Sequence, residues 1–137
     1  MKNVLITGGA GFIGSHLADN LYSTGKYKIR IIDNLSEKTH YGDWPNYLNE
    51  NYELFYGDVS NYDDLKKALK DIDIVFHLAA ELDLNPQYKR FIDINVGSTA
   101  LVFELINEFK FKIKKVIIGS TQFVYGQGKW VSKNGNI

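Results

Sequence analysis

Cysteine is absent from all 137 residues. That excludes a disulfide framework and a thiolate metal site, and it agrees with a reducing, cytoplasmic setting. No metal is expected. Net charge is missing too, since 16 basic residues balance 16 acidic ones. A basic face for nucleic acid or an anionic membrane is therefore not expected. No apolar run approaches the ~20 residues that span a bilayer. The start, Met1-Lys2-Asn3 running into Val4-Leu5-Ile6 and glycines, lacks the longer apolar stretch of a secretory signal. What is present is ordinary for a globular protein: 45% hydrophobic and 23% charged residues, in a length that suits one domain.

Apolar runs alternate with helical patterns, as in βαβ units around a parallel sheet. Strands are expected at Val4–Ile6, Lys28–Asp33, Tyr52–Tyr56, Asp73–His77 and Lys115–Gly119. The first helix should run from Phe12 to Ser23, with Ile13, Leu17 and Leu21 on its inner stripe and Gly25 as its stop. Residues 34–50 read as loop with room for a short helix. Ser60, followed three residues on by Asp63, predicts a capping box opening a second helix. A longer helix is expected over Gln87–Phe109, with Phe91, Ile94, Ala100, Leu101 and Leu105 apolar. With right-handed crossovers this order gives an α/β, Rossmann-type doubly wound parallel sheet, ordered 3-2-1-4-5. Such a sheet continues with a helix after its fifth strand, and after Tyr125 the sequence turns polar and glycine-rich and stops at Ile137. Residues 1–137 are therefore expected to be one Rossmann domain, the N-terminal part of a longer protein whose substrate domain is absent.

Four conditions coincide at the first turn. A strand precedes Gly8-Gly9-Ala10-Gly11-Phe12-Ile13-Gly14 and a helix follows it. The glycines fit both Gly-x-Gly-x-x-Gly and Gly-x-x-Gly-x-x-Gly, and Asp33 ends the second strand, where a ribose-binding acid belongs. Without a ligand the same glycines would serve only a tight turn, and Asp33 would merely close a strand. Together they describe a dinucleotide site: glycines for the turn and for close approach to a pyrophosphate, and a helix N-terminus facing the phosphates. Asp33 accepts from ribose hydroxyls and repels a 2′-phosphate, so NAD is expected rather than NADP.

Thr7-Gly8-Gly9-Ala10-Gly11-Phe12-Ile13-Gly14-Ser15-His16-Leu17 resembles the opening motif of the extended short-chain dehydrogenase/reductases that epimerise or dehydrate nucleotide sugars. Further resemblances follow in order along the chain. Asp33-Asn34-Leu35-Ser36 resembles the family's ribose segment, Gly57-Asp58-Val59 its adenine segment, and His77-Leu78-Ala79-Ala80 its motif beside the phosphates and nicotinamide ribose. Asn95-Val96-Gly97-Ser98-Thr99 is similar to the family's helix motif, with the glycine and small residue shifted by one place. Gly119-Ser120-Thr121-Gln122-Phe123-Val124-Tyr125-Gly126 resembles the segment that delivers a catalytic hydroxyl. The resemblance implies that NAD contacts Gly8, Gly11, Phe12, Ile13, Gly14, Asp33, Asn34, Asp58, Val59, Leu78, Ala79, Ala80 and Asn95, and that Thr121 bonds the substrate oxygen. Read from the residues alone, Asp58 could simply close a strand and Ala79-Ala80 could be small for packing. His16 and His77 read as structural histidines.

The family's chemistry comes from a Tyr-x-x-x-Lys pair on a helix. Tyr125 and Lys129 have that spacing, but Gly126 and Gly128 between them oppose a helix. The resemblance instead implies a pair beyond Ile137, so the chain ends before the catalytic helix. It implies an NAD-dependent epimerase that oxidises and re-reduces C4 of a nucleotide-linked hexose. Related dehydratases carry Asp-Glu after the strand-five Thr, where this chain has Gln122 and Phe123, which disfavours dehydration. A reductase, or a non-catalytic dinucleotide-binding module, is the alternative. The resemblance also implies a homodimer when the protein is complete, leaving the helix face near Phe91, Leu101 and Leu105 partly bare here.

Overall fold

Five short strands, each built around an apolar stretch, form one parallel sheet in the order β3-β2-β1-β4-β5. They are β1 (Lys2–Thr7), β2 (Tyr27–Asp33), β3 (Glu53–Tyr56), β4 (Ile74–His77) and β5 (Lys115–Ile118). The computed structural model describes residues 1–82, 87–121, 124 and 126. The helices are α1 (Phe12–Ser23), α2 (Glu37–His40), α3 (Tyr62–Leu69), α4 (Tyr88–Phe91) and α5 (Ser98–Glu108), with a π-helical segment, Ile92–Gly97, between the last two. The expected doubly wound order is the observed one. β1 lies at the centre, with Thr7 opposite Ile32 of β2 and His77 of β4.

A strand covered on both faces buries its odd and even residues in different layers, which explains the uninterrupted apolar runs. Leu5, Ile32 and Val75 pack with Leu65 and Leu69 of α3 and Val102 and Leu105 of α5. Val4, Ile6, Ile29 and Ile31 pack on the opposite face with Ala18 of α1 and Tyr52. Trp44 and Leu48, in the segment after α2, join that second cluster. Arg30 interrupts the apolar run of β2. Its Nη1 donates to the carbonyls of Ala68 (2.9 Å) and Lys70 (2.7 Å) at the end of α3, and its Nε pairs with Glu53 at 2.8 Å. A cation there satisfies helix carbonyls and complements the negative end of the helix.

Four expectations need correction. On α1, Leu17 and Leu21 pack on the core as expected, but Ile13 is 69% exposed, and the buried contact is made by Gly14, Ser15 and Ala18. Small residues at the contact let α1 approach the sheet more closely than a row of leucines would. The cap of α3 is Asn61, not Ser60: its Oδ1 accepts the N–H groups of Asp63 (3.0 Å) and Asp64 (3.1 Å), while Ser60 binds Asp58 instead. The helix expected over Gln87–Phe109 runs without a break from Tyr88 to Glu108, but Ile92–Gly97 within it is wound as a π-helix. Ile94, Ser98, Val102 and Leu105 face the sheet, spaced as one helical face. The apolar residues left exposed on the other side are Ile92, Val96 and Phe103; Leu105, expected to be partly bare, is fully buried. No helix among the described residues is long and apolar enough to cross a membrane.

Removing the α3 cap should cost about 1 kcal/mol. Urea unfolding of Asn61→Ala is expected to show that loss, whereas a comparable loss in Ser60→Ala with none in Asn61→Ala would restore the capping box.

Candidate functional site

In a parallel sheet all the strands end at one edge, and the crevice opens where neighbouring connections leave in opposite directions. Here that point lies between β1 and β4. The glycine turn crosses it. Gly8 has φ +66°, a conformation that L side chains rarely adopt, and a Cβ there would lie 2.8 Å from the Ala79 Cα. A Cβ on Gly14 would lie 2.6 Å from both the Gly8 oxygen and the Gly9 Cα. The turn, the first residues of α1 and the exit of β4 therefore touch backbone to backbone. At Gly11 the crowding is milder, 3.3 Å to the Gly8 oxygen.

Gly11 is the N-cap of α1, in extended conformation and with no side-chain cap. The first N–H groups of a helix have no partner within it, so those of Phe12 and Ile13 are aimed out of the turn at the positive end of the helix dipole. Both side chains are exposed. An anion would find N–H donors here that no side chain caps.

Asp33, at the end of β2, is buried against this turn. Its Oδ2 accepts the Ala10 N–H at 3.1 Å and its Oδ1 the Leu35 N–H at 3.0 Å. Asn34 turns away and donates to Asp58 Oδ2 at 3.1 Å. Asp58 Oδ1 accepts from the Ser60 hydroxyl (2.6 Å) and N–H (2.8 Å). Burial alone would raise the Asp58 pKa, but the Ser60 and Asn34 hydrogen bonds and the nearby Arg90 charge outweigh it and hold it below the ordinary carboxylate value. Val59 is buried in the core beside α3. One contributor escaped the sequence reading. Tyr47 donates from its hydroxyl to the Ala10 carbonyl at 2.5 Å. Burial and the Asp33 charge raise its pKa.

At the exit of β4 the polar atoms form a closed chain. Thr7 Oγ1 accepts the N–H groups of Leu78 (3.0 Å) and Ala79 (3.1 Å), which leaves its proton for His77 Nδ1 at 2.9 Å. Ser98 donates to the Ile94 carbonyl, so its oxygen accepts from His77 Nε2 at 3.1 Å. His77 is thus the neutral Nε2–H tautomer with both nitrogens satisfied. Asn95, in the π segment, accepts the Glu81 N–H (2.7 Å) and donates to the Glu81 carbonyl (3.1 Å), and Arg90 pairs with the Glu81 carboxylate. Leu78, Ala79 and Ala80 lie between these two anchors. Thr121 is exposed, three residues past the end of β5. Gln122, Phe123, Tyr125 and Lys129 lie outside the described residues.

Burial holds His77 below the ordinary histidine pKa. The unfolded chain therefore binds the proton first: stability is full above about pH 6.5 and falls as the pH drops from there toward the folded value. Urea midpoints at about pH 7.5 and 5.5 should show that fall, and His77→Gln should flatten it. An unchanged slope in the variant would remove His77 as its source.

The model of the NAD dependent epimerase/dehydratase family matches residues 4–135. A putative UDP-glucose 4-epimerase of Methanocaldococcus jannaschii is 34% identical over 140 residues, covering 97% of this chain and 43% of that protein. A dTDP-L-rhamnose 4-epimerase of Burkholderia thailandensis is 30% identical, covering 99% and 39%. Among solved structures, the UDP-glucuronic acid 4-epimerase of Bacillus cereus, in complex with UDP-glucuronic acid and NAD, matches with a TM-score of 0.79 at 31% identity, covering 96% of this chain and 44% of that one. The chain spans about two-fifths of the length of these relatives. Matched from β1 to beyond β5, with the glycine turn and carboxylate in place, the chain belongs to the NAD dependent epimerase/dehydratase family.

Proposed function

We propose that this chain is the NAD-binding part of a nucleotide-sugar 4-epimerase. The observation that carries the reading is the glycine turn at the β1/β4 crevice with the Asp33 carboxylate bound to it. The cofactor fits what is there. Cβ-free backbone and uncapped N–H groups at Phe12 and Ile13 suit a pyrophosphate, with Gly8, Gly11 and Gly14 making room. Each Asp33 oxygen accepts one N–H bond, which leaves lone pairs for ribose hydroxyls, and its negative charge disfavours a 2′-phosphate. Asn34, Asp58 and Val59 would border the adenosine end. Leu78, Ala79 and Ala80 would border the far phosphate and the nicotinamide ribose, held in place by Thr7 and by Asn95 through Glu81.

When bound, NAD would take up hydride from C4 of the sugar and return it to the other face. The chain's own part is to hold and orient the cofactor, while Thr121 would offer a hydroxyl to the substrate oxygen. A Tyr-x-x-x-Lys pair outside these residues would move the proton. Epimerisation is preferred to dehydration because Gln122 and Phe123 stand where a dehydratase has acids, although a dTDP-D-glucose 4,6-dehydratase of Dictyostelium discoideum is 36% identical. In the assembled enzyme the exposed Ile92, Val96 and Phe103 would meet a second subunit. A cytoplasmic location goes with this reading, supported by the absence of cysteine.

Isothermal titration of the chain should show NAD binding at least about tenfold tighter than NADP. The reverse order would sink the role of Asp33. The isolated chain should not convert UDP- or dTDP-hexoses, and measurable turnover would show that the acid–base pair lies within it.

A further inference from the structure

The Ala10–Gly11 peptide is held at both ends. Its carbonyl accepts the Tyr47 hydroxyl at 2.5 Å, and its N–H, that of Gly11, donates to the Gly8 oxygen at 3.2 Å. The preceding peptide is held as well, with the Ala10 N–H on Asp33. Ala10 is fully buried, so its carbonyl has little recourse to water if the hydroxyl is removed. Tyr47 itself is 55% exposed, so its ring contributes little to the core and its hydroxyl is the part that is used. The segment carrying it is anchored independently, since Trp44 and Leu48 pack on the cluster of Val4, Ile6, Ile29 and Ile31. A fixed segment thus presents one hydroxyl to the peptide just ahead of the uncapped N–H groups of Phe12 and Ile13.

From this geometry we infer that Tyr47 is a positioning residue for the dinucleotide's pyrophosphate, acting through the Ala10–Gly11 peptide. The inference rests on the NAD reading for its ligand, but the latch itself exists without one. Asp33 and Tyr47 divide the work: the carboxylate orients the Gly9–Ala10 peptide through the Ala10 N–H, and the phenol orients the next one through the Ala10 carbonyl, the plane from which α1 departs. Rotation of that plane would re-aim the first helical N–H groups, and hydrogen bonds weaken steeply with angle. The effect should therefore fall on ligands that carry a pyrophosphate and spare those that do not.

Tyr47→Phe removes only the hydroxyl, and Tyr41→Phe, at an 87% exposed tyrosine of the same segment, serves as control. In the free chain, exchange of the hydrogen-bonded amides of Ala10, Gly11 and Ser15 should speed up about tenfold in Tyr47→Phe and not in the control. Titration should show NAD and ADP binding about tenfold weaker, with adenosine unchanged. Unchanged exchange would overturn the latch. Equal losses for adenosine, ADP and NAD would overturn the positioning role in favour of a general loosening, as would unaltered NAD and ADP affinity beside faster exchange. If the unaltered chain binds neither NAD nor ADP, the cofactor reading fails and the positioning role with it, while the exchange result still decides the latch.

Discussion

Above the sheet, the architecture depends on a contact between backbones. The Gly8 and Gly14 positions bring the first turn, the start of α1 and the exit of β4 closer than any residue with a Cβ permits. That closeness allows Thr7, at the end of β1, to reach the N–H groups of Leu78 and Ala79 with one oxygen. It also brings Ala10 within range of Asp33 on the next strand. A methyl group at Gly14 would push the helix away from the turn, and these side-chain bonds would lengthen together. The glycines act here less as flexible links than as space.

The two halves of the crevice are organised differently. On the β2 side, charge is concentrated: Asp33 and Asp58 each accept hydrogen bonds that stabilise the carboxylate, and their oxygens keep further acceptor capacity. On the β4 side charge is excluded. His77 is buried and neutral, bridging two hydroxyls whose protons are already assigned. Protonating it would put a second donor proton between His77 Nδ1 and the Thr7 hydroxyl, in a place where no acceptor is offered. Among the described residues, charged groups return farther out, at Glu81 and Arg90.

Much of this was legible in the residues. Strand order follows from the alternation of apolar runs and helical patterns together with crossover handedness. The glycine turn and Asp33 stand out because spacing and context are both strict. What was missed has physical reasons. Ser60 and Asn61 are both good caps, and the choice fell to Asn61 because Asp58 takes up the Ser60 hydroxyl, a competition that spacing does not reveal. The π segment keeps an apolar pattern close to that of an α-helix, so periodicity passes through it. Ile13 shares the helical spacing of Leu17 and Leu21 but lies in the first turn, beyond the edge of the sheet contact that Gly14, Ser15 and Ala18 make. Tyr47 carried no signal of its own: it lies in a polar segment, and its partner is a backbone carbonyl 37 residues away.

The π segment has a consequence for how this protein can change over generations. Asn95 reaches Glu81 and Ser98 reaches His77 from a stretch where the chain is wound by one residue more than an α-helix would use. Ile94 packs in the core and Asn95 holds Glu81, so both depend on the winding that presents them. Losing one residue would turn everything on one side by about 100° relative to the other. An insertion or deletion between β4 and α5 would therefore disturb core and anchor together, so descendants should preserve the count of residues there.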